Sequence, residues 1–306
     1  MDDVTSADPA ATEDPPTVDV RVLTIAGPTG PLDARLYRAT RGVIVGAPRK
    51  ASGLADTLLV FFHAGGFVSG SIEASDGCLR ELASHIDASV LAPSYAQAPG
   101  QAFPAAAEDA YAAIADCAAH PRRYQWSGRT LVVGGIEAGG NLAAVVVLMA
   151  RDRGGPPLAG QILIVPLLDP GLTSGSMRCA GDRDANVNIA SRCADAYRDY
   201  LPRPADRMHP YACPLASTRL RGLPATLMVS IEDDPLRDEA DAYVAKLAAA
   251  AVPVRTLVLR IPPGTSAACD TNARCRAAFD VAAGVDAYAA LADFVASLAS
   301  AGFVSS

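Results

Sequence analysis

The feature that most constrains this chain is an alternation of short apolar runs with stretches of helical spacing. Residues 58–67, LLVFFHAGGF, form an apolar run that ends in glycines, and residues 75–87 carry Leu79, Leu82 and Ile86 at helical spacing. SVLAPSY is apolar again, and PAAAEDAYAAIADCAA is helical with Pro104 near its start. The rhythm continues through TLVVGG, NLAAVVVLMARDRG, GQILIVPLL, ATLMVSIEDD, EADAYVAKLAAAA, VRTLVLRIP and DAYAALADFVASLAS. Strands that alternate with helices of this length predict a mostly parallel sheet with helices on both faces, an α/β fold. Ahead of the alternation, VDVRVLTIAG and LDARLYRA flank Gly-Pro-Thr-Gly and predict a hairpin.

No linker divides the chain, so a single domain is expected over residues 18–306, after an acidic tail at 1–17 that is too rich in Pro, Ala, Asp and Glu to fold. Residues 171–210 break the rhythm. They begin polar and irregular, become weakly helical, and predict a cap or lid inserted into the domain. The tail lacks an apolar signal region, and no run is long enough to span a bilayer, so a cytoplasmic protein without membrane attachment is expected. A net charge of −7 with Lys50 and Lys246 as the only lysines argues against nucleic acid as a partner. The seven cysteines are scattered and contain no CxxC pair, which removes support for zinc or thiol-exchange chemistry and fits free thiols in a reducing compartment. No cofactor or metal is implied. Asp182, Asp184 and Asn186 open like a calcium loop, but Val187 and Cys193 stand where its glycine and bidentate glutamate belong.

Four segments, in order, carry more specific information. His63-Ala64-Gly65-Gly66-Phe67 ends the first central run. Tyr95-Ala96-Gln97-Ala98-Pro99 is followed by Phe103-Pro104-Ala105-Ala106. Gly135-Ile136-Glu137-Ala138-Gly139-Gly140-Asn141 joins a strand to a helix, and Asp234-Pro235-Leu236-Arg237-Asp238-Glu239 follows a later strand. Together they resemble the hormone-sensitive-lipase type of carboxylesterase-like α/β-hydrolases, over roughly residues 18–300. The resemblance implies an oxyanion hole from the backbone N–H groups of Gly65, Gly66 and Ala138, a nucleophile elbow at residue 137, and a triad acid at Asp234. It also implies losses. The elbow serine is replaced by Glu137, and the loop Gly264-Thr265-Ser266-Ala267-Ala268-Cys269 has no histidine where the family carries one.

Of the four histidines, His63 belongs to the glycine loop and is expected to steady it. His85 lies on an upstream helix, His120 lies in a helix–strand connection away from the site, and His209 is the one that can approach it. Without an imidazole to make an alkoxide, ordinary serine hydrolysis is not expected. Glu137 beside a vacant oxyanion hole is instead expected to serve as general base or acid, with Asp234 sharing the proton work. The expected activity is elimination, dehydration, isomerisation or cyclisation of a carbonyl-containing small molecule, such as an intermediate of a specialised pathway. Phe67, Ser266, His209 and Tyr197 are candidate substrate contacts.

Two alternatives stay open: an inactive family member that binds a small molecule, and a hydrolase in which Glu137 attacks as a carboxylate nucleophile. The roughly 17 residues ahead of the hairpin read as disordered, so they are not expected to form the family's helical N-terminal cap. The pocket is therefore expected to be covered by 171–210, to be more open, or to be closed by a partner chain, with a homodimer among the options.

Overall fold

The computed structural model describes residues 17–40, 54–182, 184–260 and 287–300. Its centre is an eight-stranded sheet in the order β1-β2-β4-β3-β5-β6-β7-β8. The predicted hairpin is β1 (Val18–Gly27) paired antiparallel with β2 (Gly30–Ala39). β2 in turn lies antiparallel to β4 (Ser89–Pro93). From there β3 (Ala55–Phe62), β5 (Trp126–Ile136), β6 (Gly160–Ile164), β7 (Ala225–Ile231) and β8 (Val254–Leu259) all pair in parallel.

Burial explains the texture of these strands. All five residues of β4 and of β6 are buried, as parallel strands covered on both faces must be. β1 alternates instead, and Val22 on this edge strand is 75% exposed.

Helices cover the sheet. α1 (Asp76–His85) packs with β2 and β4, and α2 (Ala105–Ala119) packs beside α3 (Ala138–Arg153). α3 is buried from Ala138 to Ala150 and lies on β5, β6 and β3, which accounts for its apolar character all round. Between β6 and β7 the chain forms the short α4 (Gly175–Arg178) and then α5 (Asp184–Tyr200). The helix therefore begins earlier than the weakly helical stretch predicted from sequence. Its inward face presents Cys193, Ala196, Tyr197 and Tyr200, all buried and spaced on one side of a helix. α6 (Arg237–Ala249) follows β7, and α7 (Ala287–Ser300) packs against β3, β5, β6 and β8.

The expected acidic tail lies outside the described residues, apart from Thr17. Among the described residues, no helix is long and apolar enough to cross a membrane. No group of three or more His, Cys, Asp or Glu among them is placed to hold a metal.

Candidate active site

β5 ends at Ile136 and α3 begins at Ala138, so Glu137 alone turns the chain. It does so with φ 55° and ψ −111°, a left-handed conformation that costs a non-glycine residue on the order of 1–3 kcal/mol. The surroundings hold it there. Glu137 N–H donates to the Ile164 carbonyl at 2.9 Å, and its own carbonyl accepts from Asn141 N–H at 3.0 Å and Leu167 N–H at 3.1 Å. Behind the turn, α3 meets the end of β3 so closely that a Cβ on Gly139 would lie 2.1 Å from the Phe62 carbonyl oxygen. This contact explains the glycine two residues after Glu137.

The second half of the site is the loop after β3. Gly65 has φ 144°, and a Cβ there would sit 1.9 Å from the Ser69 carbonyl oxygen, so only glycine fits. The backbone N–H groups of Gly65 and Gly66 converge on one atom, Oε2 of Glu137, at 2.9 and 3.0 Å. Ala138 follows, fully buried at the N-terminus of α3.

This arrangement corrects the sequence reading of the hole. Glu137 was expected beside vacant donors, but its carboxylate occupies the two loop donors itself. The reason is physical. A carboxylate only 9% exposed must find donors, and a glutamate side chain, unlike a serine, is long enough to fold back onto the loop.

The loop is steadied from behind. His63 is buried and stacked on Tyr95, with ring centroids 4.3 Å apart. Its Nδ1 lies 2.8 Å from the Ala64 carbonyl oxygen, and the Tyr95 hydroxyl donates to the His63 carbonyl at 2.9 Å. Burial lowers the His63 pKa and favours the neutral ring. Burial also raises the Tyr95 pKa, with the nearby Glu137 charge adding to it.

The remaining predicted residues fall in different places. Asp234 is buried just beyond β7, and its Oδ1 accepts from Leu236 N–H at 2.8 Å. Phe67 has φ 67° and is fully buried, stacked on Tyr200 at 3.9 Å. It is core under α5, which corrects its assignment as a substrate contact. Tyr197 lies 6.0 Å from the Phe67 ring, is buried, and its hydroxyl has no hydrogen-bond partner among the described residues. His209 is exposed, packed on Phe103 and Tyr211, and its Nδ1 accepts from Tyr211 N–H at 3.1 Å. These contacts make it a surface residue rather than a base in the site. Ser266, with the loop 264–269, lies outside the described residues.

Two further residues of the site are not assigned to it by the sequence. Cys193 of α5 is buried among Glu137, Glu239 and Asp234; burial raises its pKa most and the three carboxylates add to that, so it stays a thiol. Its position was readable from its i+3, i+4 and i+7 neighbours Ala196, Tyr197 and Tyr200. Glu239 accepts from Asp169 N–H at 2.8 Å, while its Oε1 is buried with no hydrogen-bond partner among the described residues, and burial raises its pKa well above the carboxylate range. Nothing in the local pattern of DPLRDE distinguishes this buried carboxyl from a surface one.

Residues 59–260 match the family model described as alpha/beta hydrolase fold. The esterase LipI of Mycobacterium tuberculosis is 36% identical over 244 residues, spanning 78% of this chain and 72% of that protein. The carboxylic ester hydrolase LipN of the same organism is also 36% identical, over 78% of this chain but only 61% of its own length. Among solved structures, the hyperthermophilic esterase from Pyrobaculum calidifontis superposes with a TM-score of 0.75 at 32% identity, covering 92% of this chain and 86% of that one. Relatives named for ester hydrolysis overturn the expectation of an eliminating, dehydrating, isomerising or cyclising enzyme. The strand order, the turn at residue 137, the glycine loop and these matches agree: the chain belongs to the alpha/beta hydrolase fold family, among the carboxylesterase-like members that resemble hormone-sensitive lipase.

Proposed function

We propose that this chain hydrolyses a carboxylic ester of a small molecule, with Glu137 in place of the family's serine and without an imidazole base. The observation that carries the reading is the convergence of Gly65 and Gly66 N–H on a single oxygen at 2.9 and 3.0 Å. Donors at that spacing suit the oxyanion of a tetrahedral intermediate. The resident carboxylate oxygen marks where the ester's carbonyl oxygen would go.

In this mechanism the substrate carbonyl displaces Oε2 from the two N–H groups. The released carboxylate takes a proton from water as the water oxygen bonds to the acyl carbon, and the developing oxyanion is held by Gly65 and Gly66. When the intermediate collapses, the C–O bond to the alcohol breaks and the proton passes from Glu137 to the leaving alkoxide. The products are an acid and an alcohol, and Glu137 returns to its starting state. The absence of histidine from the chain after residue 209, together with the surface position of His209, favours water as the attacking group over a serine alkoxide.

The test is turnover of a p-nitrophenyl ester series from acetate to hexanoate, run beside fluorophosphonate labelling. Hydrolysis without serine labelling supports the reading. A labelled serine would overturn the role of Glu137. No turnover of any ester would overturn hydrolysis and leave the pocket a binding site alone.

A further inference from the structure

The parallel strands have a second end, far from Glu137. There the last turn of α3, the turn before β7 and the C-terminus of α6 enclose an open cavity of about 670 Å³. Its lining includes Arg151, Arg219, Arg221 and Lys246, together with Thr218 and Leu220, with the Asp152 carboxylate close by on Arg151. Arg151 stands 14 residues along from Glu137, so at 1.5 Å per helical residue the two ends lie roughly 20 Å apart. The cavity is therefore separate from the esterase-like site.

Helix ends account for part of this charge but not all of it. Arg151 and Lys246 lie in the last turns of α3 and α6, where cations offset the helix dipole. Arg151 is committed further. It pairs with Asp152 through Nε at 2.9 Å and Nη2 at 2.7 Å, and it donates to the Arg219 carbonyl, fastening α3 to the turn. Lys246 spends one donor on the Leu215 carbonyl, at 2.6 Å, and has others left.

Arg219 and Arg221 differ. They sit on a turn with no helix end of their own and both are exposed; Arg219 stands near the Asp152 carboxylate, whose pKa it helps to lower. Three cations with donors to spare thus ring one concavity, while the nearby Asp152 carboxylate already accepts from Arg151 and from the Tyr211 hydroxyl.

We infer that this cavity binds a small organic phosphate monoester. The guanidinium groups of Arg219 and Arg221 and the ammonium of Lys246 would hold the phosphoryl oxygens, with the Thr218 hydroxyl as a further donor. Arginine forks match phosphate oxygens two at a time. Ala249, which ends α6, and Ala250 just beyond it offer a small apolar surface for the rest of the molecule. The volume falls within the roughly 300–1,000 Å³ of small-molecule sites, more than a bare phosphate needs.

The test is calorimetric titration with adenosine monophosphate, adenosine serving as the uncharged control. Saturable one-to-one binding of the monophosphate, at least about tenfold tighter than adenosine, is expected. Arg219→Ala/Arg221→Ala should weaken it by about tenfold or more, and raised salt should weaken it too. Both residues are exposed, so circular dichroism and thermal melting of the double variant should match the parent. Equal binding of adenosine, unchanged affinity in the double variant, or no saturation by either compound would overturn the proposal.

Discussion

Replacing Glu137 with alanine should free the glycine loop. Oε2 accepts from Gly65 and Gly66 at 2.9 and 3.0 Å, and a hydrogen bond to a charged group contributes about 1.5–3 kcal/mol net. Local opening of either amide must break at least one such bond. At 1.4 kcal/mol per factor of ten, its loss should speed amide exchange at Gly65 and Gly66 by about 10- to 100-fold. The measurement is native-state hydrogen exchange, by NMR or by mass spectrometry of peptides covering the loop. The amides of Val60 and Leu59 in β3 serve as internal controls, since the ladder there does not involve Glu137. Unchanged rates at Gly65 and Gly66 would refute the view that the carboxylate holds the loop. So would an equal acceleration throughout β3, which would signal general unfolding instead.

Further outcomes follow from other parts of the site. Phe67→Ala should cost about 3–5 kcal/mol in denaturant unfolding, because it empties a fully buried ring site stacked on Tyr200; a loss under about 1 kcal/mol would mean that α5 collapses to fill the gap. His63 has a folded pKa below its usual 6.5. The stability linked to it is therefore complete above that value and is lost as pH falls through the folded pKa; His63→Asn should flatten this part of the acid limb of a stability–pH curve. Glu239 has the opposite sign. Its folded pKa is raised, so its contribution is complete below the usual carboxylate value of 4.5 and is lost as pH rises toward the folded pKa. Glu239→Gln should accordingly gain relative stability as pH rises from 4 to 7, and a parallel pair of curves would contradict this.

Much of the architecture could be read from the chain because it rests on local pattern. The continuous apolar runs of β3 to β7 and the alternating β1 follow directly from which faces are covered. The glycines at 65 and 139 were also legible, since both mark places where backbone approaches backbone too closely for a side chain. Side-chain geometry was harder. That Glu137 folds back onto Gly65 and Gly66 depends on its length and rotamer, and spacing says nothing about either. Phe67 is a candidate substrate contact by sequence, whereas long-range packing against Tyr200 buries it. His209 stood out as the histidine able to approach the site only by elimination among four, and its contacts with Phe103 and Tyr211 keep it at the surface. Cys193 and Glu239 acquire meaning only once α5 and α6 bring them together.

The role given to Glu137 is tested most directly by comparing ester hydrolysis in the parent protein and in Glu137→Gln, which keeps the side chain's shape but removes its basicity. A fall in kcat of about 100-fold or more, with KM little changed and the protein still folded, is the predicted result. An undiminished kcat in the glutamine variant would contradict it.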